Sequence, residues 1–288
     1  MNIIGISRGN QYSPNHIGND TAIFNEVMKQ LAIYGYSFNV YTEEEYTSLP
    51  VPPHPIPVVN MARDKRTILS LYEWQQKGCL IITPPNGIEN CIRQAMTEIL
   101  ISNQVNHPRS WIISVNQNAR PMLTYPCWIK RGDSHTITKD DVCYAQTPHE
   151  VETILNEFRK RNIPIAIVNE HLQGDLIKFY GVKDSPFFYW FYPSLQTHSK
   201  FGLEKINGAS QGFHFDIPAL RSQANLASTL LKVPIYGGDA IVSEEGNIQL
   251  IDFNDWPSFA PCRKEASNAI ARYIHQQISI WTSNHQQE

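Results

Sequence analysis

Apolar residues in the first third of the chain fall into short runs alternating with stretches at helical spacing. Asn2 to Ser7 is an isoleucine-rich run that predicts a strand. Residues 8–20 form a loop rich in glycine and asparagine, and Ile23, Val27, Leu31 and Tyr34 mark one face of a helix over Thr21 to Tyr34. Further strands are predicted at 38–42, Val58 to Met61 and Leu80 to Thr83. The helices between and after them are Thr67 to Lys77 and Ile88 to Gln104, and a proline-rich connector covers 49–57. This alternation implies a mostly parallel sheet covered by helices, so residues 1–105 read as one small α/β domain.

The pattern then changes to α+β. Residues 124–132, 163–170, 175–182 and 186–193 are apolar or aromatic strand candidates. Thr147-Pro148-His149-Glu150 opens a helix running to about Arg161, with Thr147 as cap, Pro148 in the first turn and Glu150 where a capping box needs it. After a polar loop at 194–215 come a helix over Ile217 to Leu231 and a hairpin of 237–244 with 248–255, turning at Glu245-Gly246-Asn247. A closing amphipathic helix follows from Glu265 to Trp281. The continuous aromatic run Phe187 to Tyr192 predicts a strand buried on both faces.

A chain of 288 residues with 42% hydrophobic composition can build two or three packed subdomains. The formal charge of -3 argues against nonspecific nucleic-acid binding, which relies on neutralising phosphates. Five scattered cysteines without a Cys-x-x-Cys pair suit reduced, structural thiols. No apolar run approaches the roughly 20 residues of a membrane span, and MNIIGISRGN lacks the form of a signal peptide. A cytoplasmic protein without nucleic-acid or membrane partners is expected; the sequence leaves homo-oligomerisation open.

Three segments carry candidate chemistry. In GGDAIVSEEGNIQLIDFNDWP, Asp252 and Asn254 share a strand face, and the hairpin turn places Asp239 roughly opposite. Two carboxylates and an amide oxygen suit a hard cation such as Mg²⁺. A solvated sheet edge is the plainer alternative, but acids within apolar runs are costly to bury without a partner. Lys130, ending the strand CWIKR, can reach along the sheet to a phosphate or snorkel to the surface. The following loop, with Ser134, His135 and Thr136, has hydroxyls and backbone N–H groups for phosphates. In the third segment, Asn169, Glu170, His171 and Leu172 precede a turn and a strand carrying Asp175 and Lys178, which is either a nucleotide-reading hinge or a plain hairpin.

In order and approximate spacing these segments resemble the ATP-grasp superfamily: strand-Lys and phosphate loop at Thr124 to Lys139, hinge at Val168 to Lys178, and metal motif at Gly238-Asp239 with Ile251 to Asn254. Residues 58–64 and 78–94 are similar to the preceding domain of that superfamily. The resemblance implies a Rossmann-like pre-ATP-grasp domain at 1–105, a small ATP-grasp subdomain at 106–183 and a C-terminal subdomain with the metal site at 184–288. It further implies that Lys130 contacts ATP phosphates and that Lys178 lies near the phosphates or transfer site. Ser134 and His135 belong to the phosphate loop, and Asn169 to Leu172 with Asp175 to the nucleotide pocket. Asp239, Asp252 and Asn254 would hold one or two Mg²⁺ ions, with Mn²⁺ as a substitute. Asp252 stands where the superfamily usually has Glu.

Two branches of the superfamily are similar to the chain. RimK-type carboxylate–amine ligases share the two-domain plan and a basic residue before a late Asn-Gly, here Lys205 before Asn207-Gly208. ATP-grasp inositol polyphosphate kinases share Ser134-His135, the Lys178 to Tyr180 spacing and Asp252-x-Asn254-x-x-Pro257, although the hinge glycine, Gly174, is displaced by one. A highly phosphorylated acceptor would call for a basic pocket that this slightly acidic chain does not advertise. The expectation is therefore a ligase acting on a small carboxylate and an amine, with a small-molecule kinase or a non-catalytic nucleotide-binding protein as alternatives. Arg8, Arg63 and Arg93, from separate elements of the first domain, are candidates for binding an anionic acceptor or are ordinary surface arginines.

Overall fold

The computed structural model describes residues 1–13, 17–117, 121–193, 206 and 208–285. Among them are three four-stranded sheets. The first contains β1 (Asn2–Ile6), β2 (Ser37–Tyr41), β3 (Pro57–Asn60) and β4 (Leu80–Ile82), ordered β2-β1-β3-β4 and parallel throughout. Its helices are α1 (Ile17–Ile33), α2 (Glu43–Thr47), α3 (Lys65–Gln76), α4 (Pro85–Asn90) and α5 (Arg93–Ser102). Helix α2 lies in a stretch the periodicity left unassigned; five residues cannot display a helical stripe, but the Thr42–Glu45 capping box fixes its start. The single helix expected over Ile88 to Gln104 is two helices, because Ile92 adopts an extended conformation between them.

The second sheet is antiparallel, ordered β5-β8-β6-β7, from β5 (Ser110–Ser114), β6 (Cys127–Arg131), β7 (Val142–Ala145) and β8 (Ile165–Glu170). The short strands β5 and β7 carry little alternation and were not anticipated. Helix α6 (Pro148–Lys160) packs Val151, Leu155 and Phe158 against Ile113, Ile129 and Val168. Its cap is nearly as expected: Thr147 Oγ1 accepts from the Glu150 N–H, while the Glu150 carboxylate reaches the Gln146 N–H.

The third sheet is β10-β9-β11-β12, also antiparallel, from β9 (Asp175–Val182), β10 (Phe188–Phe191), β11 (Ile235–Val242) and β12 (Ile248–Asp255). Strand β9, assigned by sequence to the 106–183 unit, therefore belongs to the C-terminal sheet, and the change of sheet falls at residues 171–174. The aromatic strand β10 is an edge strand, not a core strand. Tyr189 faces one hydrophobic cluster and Phe188 and Trp190 another, which accounts for its unbroken aromatic sequence. Helices α7 (Ile217–Leu231) and α8 (Arg263–His285) complete the chain.

The cores cross the boundaries that the sequence suggested. Ile270 and Ile274 of α8 share a cluster with Ile23 and Val27 of α1, and Met96 and Leu100 of α5 share another with Leu220 of α7 and Phe253. Residues 1–105 thus share two hydrophobic clusters with the C-terminal half, while a third, around Ile6, Tyr46 and Trp74, is built from residues 1–105 alone. No helix among the described residues is long and apolar enough to cross a membrane.

Helix α4 meets the end of α7 so closely that a β-carbon on Gly87 would lie 2.3 Å from the Lys232 carbonyl oxygen. Gly87→Ala must push the two helices apart, and a loss of about 1–3 kcal/mol is expected. Urea denaturation checks this through a lowered midpoint at unchanged slope; an unmoved midpoint would contradict the close packing.

Candidate active site

Two antiparallel registers create a row of charged side chains across the third sheet. Lys178 on β9 pairs with Asp239 on β11, which pairs with Asp252 on β12. Directly paired residues project from the same face, so the three stand side by side, and Asn254 joins them two residues further along β12. Lys178 Nζ donates to both oxygens of Asp239 at 3.2 and 3.1 Å. The register shifts just after Asp239, where a bulge locally re-aims the strand. Gly238 permits the close strand contact here: a β-carbon would stand 2.5 Å from both the Asp252 carbonyl oxygen and the Phe179 ring.

This row borders a cavity of about 340 Å³, enclosed by the second and third sheets and by loops following β1 and β3. Lys130 enters from the end of β6. It is 8% exposed, and its Nζ donates to the Ile251 carbonyl at 3.1 Å, bridging the two sheets. Burial lowers its pKa to about 8, with Asp252 opposing the shift and Arg93 adding to it. Ser134, His135 and Thr136 of the following loop also line the cavity, and Ser134 Oγ donates to the His135 carbonyl.

Of the hinge residues, Asn169, Glu170 and Leu172 line the cavity. Asn169 Nδ2 donates to Ser110 Oγ at 2.7 Å, and Glu170 Oε1 accepts from the Arg109 N–H at 2.9 Å. His171 turns away and accepts from Trp128 Nε1 at 3.1 Å, beside Tyr144. Asp175 is not at the cavity. It is 3% exposed, and its carboxylate accepts backbone N–H groups from Gln211, Gly212 and Phe213, so it braces that loop. Lys205, with Asn207, lies outside the described residues.

The three arginines do reach the cavity, but their hydrogen bonds are largely committed within the protein. Arg63 pairs with Asp255, and Arg8 with Asp20 at 3.1 Å; Arg8 also donates to the Met61, Asp255 and Trp256 carbonyls. Together they fasten the loops after β1 and β3 to the end of β12. Arg93 sits elsewhere, against Thr136 and Asp252. Sequence reasoning missed Asp255, Asp20 and Trp128. Asp255 directly follows the Asp252–Asn254 pair, and an extra acid there was the available signal for a partner to the arginines.

Among the described residues no three His, Cys, Asp or Glu side chains gather as a metal cage. Asp239, Asp252 and Asn254 offer two carboxylates and one amide, all oxygen donors. Mg²⁺ commonly binds through one or two carboxylates, keeping its remaining positions for water and substrate phosphates, so the donor set fits that ion.

A comparison with models of known families finds no match, and a comparison with curated protein sequences finds none. Solved structures do match over nearly the full length. The D-alanine–D-alanine ligase from Coxiella burnetii aligns at a TM-score of 0.71 and 11% identity, over 99% of this chain and 97% of that one. A RimK domain ATP-grasp protein from Sphaerobacter thermophilus aligns at 0.65 and 10% identity, over 95% and 99%. The ATP-grasp ligase PsnB, complexed with minimal precursor, Mg and ADP, aligns at 0.60 and 12%, over 96% and 97%. The chain has the ATP-grasp fold. Its structural relatives include RimK-domain and D-alanine–D-alanine ligase structures, as the order of its motifs led us to expect.

Because Lys130 has a folded-state pKa near 8, the unfolded chain holds a proton between about pH 8 and 10.5 that the fold has released. Its contribution to stability therefore rises with pH across that window. Lys130→Met should remove a rise of about 1–3 kcal/mol, seen as the difference between wild-type and variant urea midpoints at pH 7.5 and 10. Parallel pH curves for the two proteins would refute the buried, charge-disfavoured lysine.

Proposed function

We propose that this protein is an ATP- and Mg²⁺-dependent, ADP-forming ligase joining a small carboxylate to an amine. The observation that carries the reading is the meeting of Lys130 with the Lys178–Asp239–Asp252–Asn254 face across one cavity in an ATP-grasp fold. ATP would lie between the second and third sheets, with its base toward Asn169, Glu170 and Leu172 and its phosphates toward Lys130 and the 132–138 loop. The parallel N-terminal sheet would act as the Rossmann-like pre-ATP-grasp domain. Mn²⁺ is an expected substitute for Mg²⁺, and a cytoplasmic location fits such an enzyme.

In this reaction the acceptor carboxylate oxygen attacks the γ-phosphorus and ADP leaves, giving an acyl phosphate. The amine then attacks the acyl carbon, inorganic phosphate departs and an amide remains. Lys130 and Lys178 offset negative charge on the transferring phosphoryl group, a task of position and electrostatics rather than of a protein nucleophile. Asp239, Asp252 and Asn254 would hold Mg²⁺, which supplies further charge neutralisation when bound. The acceptor end of the cavity supports a ligase over an inositol phosphate kinase. Arg8 and Arg63 are balanced there by Asp20 and Asp255, whereas a polyphosphorylated acceptor would need cations left to bind it.

The test is turnover of MgATP with pooled amino acids and small peptides, following ADP and inorganic phosphate separately. Equal release of both, dependent on an added carboxylate and amine, is expected, and Asp252→Ala should abolish it without lowering the melting temperature by more than a few degrees. ADP without inorganic phosphate would indicate a kinase, and a fully active Asp252→Ala protein would sink the metal assignment.

A further inference from the structure

Arg93 was a candidate for the acceptor, yet its side chain points to the other end of the cavity. It opens α5, just past the extended residue that separates this helix from α4. From there it makes contacts to two different sheets. Nη1 donates to the Arg131 carbonyl at 2.9 Å and Nη2 to Thr136 Oγ1 at 2.9 Å, so the guanidinium holds both ends of the loop that follows β6. Its neighbour Gln94 adds a backbone N–H to the Gly132 carbonyl at 3.0 Å. The same Nη2 lies 3.7 Å from Asp252 Oδ2 on β12, an ion-pair contact rather than a hydrogen bond.

The environment makes this more than a surface ion pair. Arg93 is 6% exposed, a burial that an arginine tolerates only with compensating partners. Asp252 itself is half-open to the cavity, with one oxygen accepting the Phe253 N–H at 3.0 Å and the other facing Arg93. Its carboxylate thus has a backbone hydrogen bond on one oxygen and the Arg93 charge facing the other. A planar guanidinium can donate to the Arg131 carbonyl and the Thr136 hydroxyl at fixed angles while facing the Asp252 carboxylate, whereas a lysine ammonium on a flexible stem cannot hold all three in that geometry.

We propose that Arg93 is a positioning residue that locks the 132–138 loop and the Asp252 carboxylate into one unit, so that phosphate-loop order and metal-ligand orientation rise and fall together. This rests on the ligase reading in placing MgATP at the site. It goes beyond that reading in assigning to α5 the coupling between the second and third sheets. Arg93 does not itself touch the reacting atoms. Removing partners that orient a metal ligand typically weakens metal binding or activity about 10- to 100-fold.

The experiment uses the full chain as wild type, Arg93→Lys, Thr136→Val and the double variant. Calorimetric titration with a non-hydrolysable ATP analogue, repeated over a range of Mg²⁺ concentrations, gives nucleotide affinity and its Mg²⁺ dependence. Hydrogen exchange without nucleotide reads the order of residues 133–138. Arg93→Lys is expected to weaken Mg²⁺-dependent binding about tenfold or more and to speed exchange in the loop. Thr136→Val, which removes one of the two contacts of Arg93 to the loop, should do the same to a smaller degree, and the double variant should be no worse than Arg93→Lys. Additive losses, or unchanged Mg²⁺ dependence with a merely lowered melting temperature, would overturn the coupling and leave Arg93 a packing residue. Wild-type protein that binds no MgATP would overturn the ligase reading and this proposal together; wild type that binds, beside Arg93→Lys that binds equally well, would overturn this proposal alone.

Discussion

The pairing of Lys178 with Asp239, and of Asp239 with Asp252, is the constraint on which the candidate site depends. Side chains in a strand alternate between faces, so a slip of one residue in either register would send a member of the row to the opposite side. Two antiparallel ladders must therefore agree, and the hydrophobic pattern on the other face enforces that agreement. Phe179 and Phe253, the odd-numbered neighbours of Lys178 and Asp252, are fully buried in the cluster beneath α7. A shifted strand would bury a charge and expose a phenylalanine at once. The site thus inherits its geometry from the core.

On that fixed face, the disposition of the cations divides the cavity in two. At one end, Arg8 and Arg63 are matched with Asp20 and Asp255 and with backbone carbonyls, so their charges hold the N-terminal loops to β12. At the other end Lys130 is buried against a carbonyl, with Asp252 as its largest favourable charge. A buried ammonium without a carboxylate in direct contact bears a desolvation cost that an anion would offset. The cations of the first end are paired within the protein, and the ammonium at the second is buried against a carbonyl.

Much of this was legible in the sequence. The strand carrying Lys130, the closing hairpin and α7 emerged from period and turn chemistry, because each is long or bounded by glycine. The spacing of Asp252 and Asn254 placed them on one face, and the turn at Glu245 to Asn247 placed Asp239 opposite. Elements too short to show a period, α2, β5 and β7, were invisible. So was the break at Ile92, where no glycine or proline interrupts the helical run. Asp175 misled for a different reason: an acid at a strand start next to a turn has the same sequence signature whether it faces a ligand or caps backbone N–H groups, and only the loop at 211–213, distant in sequence, decides between them. The sheet to which β9 belongs is a long-range pairing of the same kind.

Two of the hydrophobic clusters run across the divisions that changes of pattern suggest, while two others stay within them. Divisions drawn from changes of pattern assume that each unit closes its own core, but α8 packs on α1 and α5 packs under α7. The first and last parts of the chain are therefore joined by hydrophobic clusters, and they also meet through the Arg63–Asp255 pair. Helix α6 packs on the second sheet, which meets the third at the cavity, where Lys130 donates to the Ile251 carbonyl and Arg93 of α5 lies between the Arg131 carbonyl and Asp252. The apolar clusters and these buried charge contacts join the sheets by different means, one over a broad area and the other at a few fixed points.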